Sequence, residues 1–364
     1  MGDVFHRLFK NKDQLKKRQL QKKINLSIVP TAGYTLSTGF TIGASSITTF
    51  FTDAKHLGNE SVINLQAFYD SHDQRTFYVQ SNIWSDGDQW KFVTDLRYNQ
   101  YPDVTYGLGN LTTASNADNI DFNYIRFYQT FYKKIRKNLY AGGGFSLDYH
   151  YNITEPDRDP TTLTSFDRYG ETSKSGSAGY NLSALYDSRT NPVNPLRGFY
   201  ANLVYRQNIK ELGSDSRWSS VQIDLRKYIK LSSHSNNVLA FWSYTWLVLN
   251  GRPPYLDLPS VGNDTYNNTG RGYAIDRFRG RNMVYLEGEY RFGITKNGLI
   301  GGVIFANVES FSRTVTTKIK NVIPAAGPGI RIKINKHANT NLGIDYGFGT
   351  GGSRGLFVNL GEVF

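Results

Sequence analysis

Residues 259–289 read PSVGNDTYNNTGRGYAIDRFRGRNMVYLEGE, and the end of this stretch decides the fold. From Val284 the side chains sort with a period of two: Val284, Leu286, Gly288, Tyr290 and Phe292 fall on one face, Tyr285, Glu287, Glu289 and Arg291 on the other. That period belongs to a β-strand. One face is apolar and the other charged, so the strand separates two different media. The residues ahead of it show no repeating pattern and carry Arg271, Arg277, Arg279 and Arg281. Connections this long in β proteins are either functional or unstructured. Gly270 and Gly272 favour order, because they let the backbone turn sharply around one cation and set it beside Tyr273. If the charged face of the following strand looks into a closed space, Glu287 and Glu289 are partners for an arginine delivered by the loop. A solvated surface loop would use the same residues.

Outward from this stretch, the alternation recurs along almost the whole chain. Ile63, Leu65, Ala67 and Tyr69 alternate with Asn64, Gln66 and Asp70; Val221, Ile223 and Leu225 with Gln222, Asp224 and Arg226; Leu342, Ile344 and Tyr346 with Asn341 and Asp345. The pattern predicts about sixteen strands from Ile24 to Phe364, an even number of the kind that outer-membrane barrels use. Alternation alone does not separate such a barrel from a soluble sandwich. Strand length does, since many of these runs reach the roughly 9–11 residues that a tilted membrane strand needs. Tyrosine and tryptophan also gather toward strand ends (Trp84, Trp90, Tyr98, Tyr101, Tyr132, Tyr149, Tyr151), where an aromatic belt would meet the lipid interface. Short connections near Thr35 to Ser37, His72 to Gln74 and Arg136 contrast with long ones at 102–120, 152–175 and 250–281, as periplasmic turns and external loops would.

Composition narrows the class further. The 364 residues hold 25 Tyr, 22 Phe and 35 Gly, a mixture suited to aromatic strands joined by turns. No apolar run approaches the roughly 18 residues of a membrane helix. The absence of cysteine removes disulfides, thiolate metal sites and cysteine nucleophiles together. A net charge of +12 favours anionic neighbours such as lipid head groups, lipopolysaccharide or nucleic acid, and much of it lies in residues 1–23. There the sequence predicts a basic amphipathic helix with Phe5, Leu8 and Phe9 as its membrane-contact patch, although a disordered basic tail would have the same composition. The start, MGDVFHRLFKNKDQ, lacks the continuous apolar core expected of a signal peptide and reads as that of a processed chain. Residues 24–364 form one further domain, with no linker inside it.

Three motifs stand out besides the strands. YDSRTNPVNPLRG, Tyr186 to Gly198, sets Asp187 and Arg189 on one face at a strand end before the rigid turn of Asn191 and Pro192. A plain hairpin turn explains the prolines but not the paired charges. The end of the chain, GLFVNLGEVF, places Leu356, Val358, Leu360 and Phe364 on one face and predicts a final strand. Pro30, which cannot donate a ladder hydrogen bond, belongs on an edge or at a seam. Together with Gly355, Gly361 and Phe364 it marks a weak closure between first and last strands.

These features resemble the outer membrane protein 85 superfamily, the barrels related to BamA and TamA. The resemblance rests on Pro30, Gly33 and Tyr34, on Asp187 to Pro192, on the Arg271-Gly272-Tyr273 loop with its continuation to Gly280, and on the terminal aromatic residue. It implies that the loop folds into the lumen and that Arg271 meets acidic groups on the next two strands. Two departures qualify it. The family's F-x-D-x-G element reads Phe305-Ala306-Asn307-Val308-Glu309, so the usual aspartate is Asn307 and the glycine is Glu309. The 23 residues before the barrel are too few for the periplasmic POTRA domains of the family.

The resemblance implies an all-β transmembrane antiparallel barrel in the outer membrane of a Gram-negative bacterium, monomeric, that helps outer-membrane proteins or lipids insert or cross through its seam. Its partners would be the bilayer, lipopolysaccharide, client proteins and a periplasmic protein that supplies delivery, with no nucleic acid. A passive pore gated by the arginine-rich loop and a structural subunit of an envelope complex are the alternatives. The six histidines show no metal spacing and no nucleotide or hydrolase motif appears, so neither cofactor nor metal is expected. Ser146, Asp148 and His150 share a strand face and read as a lumenal hydrogen-bond network rather than an enzyme's site.

Overall fold

The computed structural model describes residues 24–35, 39–53, 58–71, 73–156, 158, 161, 163–170, 172–233, 235–313, 321–336 and 338–364. The expected N-terminal helix, with Phe5, Leu8 and Phe9, lies outside them. Sixteen strands form one antiparallel sheet in chain order. They are β1 (Ile24–Thr35), β2 (Gly39–Phe50), β3 (Ser61–Asp70), β4 (Arg75–Trp84), β5 (Trp90–Thr105), β6 (Asp118–Arg136), β7 (Leu139–Thr154), β8 (Lys174–Asp187), β9 (Gly198–Asn208), β10 (Trp218–Lys230), β11 (Val238–Gly251), β12 (Asn282–Gly293), β13 (Ile300–Ser312), β14 (Ile323–Asn335), β15 (Thr340–Gly349) and β16 (Arg354–Leu360). The sheet curls into a nearly closed barrel, the all-β fold expected from the alternation.

Period-two alternation positions everything that follows. Leu225, Phe241, Leu286, Ile304, Ile330 and Leu356 are exposed on the outer face. Their strand neighbours Arg226, Glu287, Glu289, Asn307 and Arg331 are buried inside. Such an inverted distribution, apolar outside and charged within, fits a barrel surrounded by lipid. Among the described residues no helix is long and apolar enough to cross a membrane.

Three expectations need correction. The aromatic belt loses two members: Trp84 and Tyr132 point inward and pack with Tyr140 and Leu185 in a lumenal cluster. The loop ends do not sort as cleanly as length implied. Counting strands from Ile24, the short connections 36–38 and 71–74 fall at the same end as the long 106–117, 155–173 and 252–281, and only the turn at 137–138 lies opposite. The last strand stops at Leu360 instead of reaching Phe364. Gly361 adopts φ +101, a conformation open to glycine, and turns the chain into the lumen. Phe364 therefore leaves the seam and lies against Trp242 and Tyr228, at centroid distances of 5.2 and 6.2 Å. Glu362 gains ion pairs there that a membrane-facing strand could not supply.

β16 pairs with β15, and β1 with β2, each in register. Among the described residues no ladder joins β1 to β16. Pro30 sits within β1 opposite Ala44, and Gly355 within β16 opposite Gly347. Unpaired strand edges open at low free-energy cost. Amides along the free edges of β1 and β16 are expected to exchange at least about tenfold faster than those of β6 and β7. Uniform protection around the sheet by hydrogen-exchange mass spectrometry would contradict an open seam.

Candidate functional site: a loop clamped across the lumen

The connection 252–281 crosses the barrel interior and is held at both walls. Its tip is built around Asp264, whose Oδ1 accepts hydrogen bonds from the backbone amides of Asn268 (2.9 Å) and Thr269 (2.8 Å). Arg97 on β5 donates to the carbonyls of Asp264 (3.0 Å) and Thr265 (2.6 Å) and to Asn267 Oδ1 (2.7 Å). Arg126 on β6 reaches Asn263 Oδ1 at 2.8 Å. Neither arginine is free to swing, since Asp95 binds Arg97 and Asp148 binds Arg126.

On the opposite wall, Arg271 is 1% exposed and its guanidinium meets three carboxylates. It donates to Asp345 Oδ2 on β15 at 2.6 Å and, more closely, to Glu287 and Glu289 on β12. Phe305 covers it, with the ring centroid 3.8 Å from Cζ. Burial disfavours the charge on Arg271, but Glu287, Glu289 and Asp345 overcome that and hold it firmly protonated. Around this centre Arg291 bonds Glu289, Arg331 bonds Asp345, and Glu362 from the inturned tail bonds Arg331 at 2.8 Å. Burial pushes the Glu362 carboxyl up, yet Arg331 and Arg291 more than offset it and keep it below the usual carboxylate range. Asn307 on β13 joins loop and cluster: its Nδ2 donates to the Arg271 carbonyl at 3.0 Å and, at 3.5 Å, to Glu287 Oε2.

The neighbouring loop residues show why the sequence there is so constrained. Gly272 has φ +115, and a Cβ on it would lie 2.7 Å from the Ala325 side chain, so the loop is pressed onto β14 without room for a methyl group. Tyr273 donates from its hydroxyl to the Pro324 carbonyl at 2.6 Å. Arg277 and Arg279 do not join the carboxylate cluster. Arg277 holds the connection 106–117 through Thr112, at 3.0 and 2.8 Å. Arg279 ties the loop to itself through the carbonyls of Tyr255 and Leu256 and through Asp276 at 2.7 Å.

At the other end of the barrel the turn 188–197 folds under the lumen. Arg189 forms a fork with Asp187, at 2.9 and 2.8 Å, beneath the ring of Tyr200. Asn191 Oδ1 accepts from the amides of Val193 and Asn194 and shapes the turn, so Pro192 and Val193 face inward. Val193 packs with Ile47, Val62 and Leu360, and its carbonyl accepts from Glu362 N at 3.0 Å. Turn and tail together close this end.

Sequence reasoning singled out Glu287 and Glu289 but passed over Asp345, Arg291, Arg331 and Glu362. Asp345 carried a usable signal, since it sits on the polar face of a strand whose other face is Leu342, Ile344 and Tyr346. Glu362 carried none, because its place depends on the turn at Gly361. Glu309 is buried with neither carboxylate oxygen hydrogen-bonded. Asp148 is committed to Arg126, Arg206, Tyr124 and Tyr128, while His150 stacks on Tyr124 at 4.3 Å and Ser146 accepts from Asn181. Among the described residues no cluster of histidines and carboxylates is arranged to hold a metal.

The chain matches the Omp85 superfamily domain over residues 33–351. It is similar in structure to BamA from Haemophilus ducreyi lacking POTRA domains 1–3, with a TM-score of 0.55 and 14% identity over 96% of this chain and 76% of that one. CdiB from Acinetobacter baumannii gives a TM-score of 0.58 at 14% identity, over 94% of this chain and 60% of its own. CdiB from Escherichia coli gives 0.58 at 10% identity, over 93% and 61%. The chain thus spans about three fifths of the two CdiB proteins. No curated protein sequence matches it.

Removing one partner from a buried ion cluster strands the others, at a cost of about 3–5 kcal/mol. Arg271→Ala is therefore expected to lower the temperature at which the barrel loses its folded migration on gels, and Arg271→Lys to recover only part of it, lacking the fork. Unchanged migration in both variants would mean that the cluster does not hold the loop. A second outcome concerns Asp257, whose carboxyl, within hydrogen bonding of Ser177 and 3.6 Å from His150, is pushed up to about 7 by burial and then by the charge of Asp148. The folded state then keeps a proton that the unfolded chain releases near the ordinary aspartate range. Its contribution to stability is present below about pH 4 and is lost as pH rises through about 7. The melting temperature of Asp257→Asn should vary less than wild type over that window; identical pH profiles would refute the assignment.

Proposed function

The chain belongs to the Omp85 superfamily, and from that membership we propose that it is a Gram-negative outer-membrane barrel that assists the insertion or translocation of outer-membrane proteins or lipids through the seam between β1 and β16. The observation that carries this reading is the missing ladder between those strands, next to a β16 only seven residues long. An under-paired edge can template an incoming strand or admit a lipid, and short strands thin the bilayer beside them. Barrels of this superfamily are generally non-enzymatic, and the Arg271 clamp has the character of a structural lock on the lumen. In the proposed mechanism the loop keeps the lumen shut while the seam works sideways. A passive pore would need the lumen clear, whereas Asp264 to Tyr273, the turn 188–197 and the tail 361–364 obstruct it from both ends. The basic segment 1–23 would lie on the periplasmic surface, with Phe5, Leu8 and Phe9 in the lipid and its cations near anionic head groups.

Cysteine pairs placed along β1 and β16 test the role of the seam. Oxidised pairs are expected to abolish insertion of an outer-membrane client into liposomes, and reduction to restore it. Full insertion with the seam locked would remove lateral opening from the mechanism. In planar bilayers the protein is expected to give no large steady current, and stable openings would favour the pore instead.

A further inference from the structure

Beneath the tip of the clamped loop lies a chamber of about 430 Å3, bounded below by Val193 and the inturned tail. We propose that it binds a phosphodiester anion, the head group of a membrane phospholipid, on the ammonium of Lys91. Lys91 is the second residue of β5 and is 3% exposed. Its Nζ lies 4.8 Å from the ring centroid of Trp84, and among the described residues it has neither an ion pair nor a hydrogen bond. The other cations lining the chamber are occupied: Arg189 by Asp187 and Arg226 by Asp224, at 2.8 and 2.7 Å. Glu362 is taken by Arg331. Glu60, at the turn end, accepts from Asn191 at 3.3 Å and makes no ion pair with Lys91. Lys91 is thus left with only the charge of Asp187, already held by Arg189, to oppose it from outside ion-pair distance, and a buried charge so weakly balanced is costly unless a ligand supplies more.

The surroundings of Lys91 offer the further donors that an oxyanion needs. Tyr132, opposite Lys91 in the ladder, donates to Asn202 Oδ1 at 3.0 Å, which leaves the Asn202 amide NH2 for a ligand. The Tyr200 hydroxyl, in the same aromatic cluster, also has no partner among the described residues. Asn202 and Tyr200 both line the chamber. An ammonium with neutral donors suits a single negative charge, which a phosphodiester carries. The route of entry selects the lipid. The chamber wall includes Ser45 and Ile47 of β2 and Leu356 to Leu360 of β16, the side of the barrel that no ladder closes. Outside that wall Leu356 and Val358 are exposed, so acyl chains can remain on the apolar outer face while the head group reaches inward. The volume is of the size that small-molecule sites have, roughly 300–1,000 Å3.

Trp84 is a built-in reporter for the full chain in non-ionic micelles. Titration with phosphatidylglycerol is expected to give a saturable change in tryptophan emission that Trp84→Phe removes. Lys91→Met should weaken the apparent affinity by about tenfold or more, Lys91→Arg should restore it to within about threefold, and Tyr200→Phe should weaken it severalfold with every charge intact. If Lys91→Met fails to migrate as a folded barrel, Lys91→Arg and Tyr200→Phe decide. Inorganic phosphate and glycerol phosphate are the control arm. Saturation by either at the same concentration as the lipid would assign the site to free phosphate and overturn the head-group source. No saturable change with any of them, or equal affinity in Lys91→Met and Tyr200→Phe, would overturn the site itself.

Discussion

The ion cluster around Arg271 is the constraint on which the interior depends. A guanidinium taken from water into the lumen is tolerable only if nearly every donor finds an acceptor and the added carboxylates are themselves compensated. Here Glu287, Glu289 and Asp345 face Arg271, and Arg291 and Arg331 face those carboxylates in turn. The four strands from β12 to β15 can therefore be read as a scaffold that presents one wall of interlocked charges. The loop is the part that has to match it, which is why Gly272 sits where no side chain fits and Asn307 donates to the loop backbone as well as to Glu287.

A buried cluster of this kind contributes specificity more than net stability. Well-packed apolar residues could fill the same volume without the desolvation cost. What they could not do is fix the depth and rotation of a long connection against a curved wall. The second anchor, Arg97 and Arg126 on Asp264 and its neighbours, uses the same chemistry on the far side of the barrel. With both ends fixed, the loop is a strut across the lumen instead of a flap at its mouth.

How much of this was legible follows from the range of each interaction. Period-two alternation is local, and it was enough for the strands, for their number and for setting Glu287 and Glu289 together on one face. Interactions between distant segments were not readable in the same way. Asp345 lies 74 residues from Arg271, and only the closure of the sheet brings them together. Trp84 and Tyr132 read as belt residues because they stand near strand ends. Which face they occupy depends on register, and register put them inside. The terminal aromatic signal failed for a similar reason: the face pattern up to Leu360 is real, but one glycine with positive φ ends the strand and reverses the meaning of Phe364.

That reversal links the two halves of the molecule. Glu362 follows β16 directly, so any movement of β16 away from β15 or toward β1 must carry it along. Glu362 is bound to Arg331, Arg331 to Asp345, and Asp345 to Arg271. Val193 of the lower turn shares the same tail through the amide of Glu362. A seam that opened while the cluster stayed intact would have to bend at Gly361, the one tail residue whose conformation leaves the choice open. A seam that opened by moving β16 as a rigid strand would instead uncover Arg331 and leave Asp345 with two cations and a weakened frame. The first route costs a backbone rotation at a glycine and the second a buried ion pair of Arg331, so the physical chemistry favours a hinge at Gly361 with the loop still locked in place.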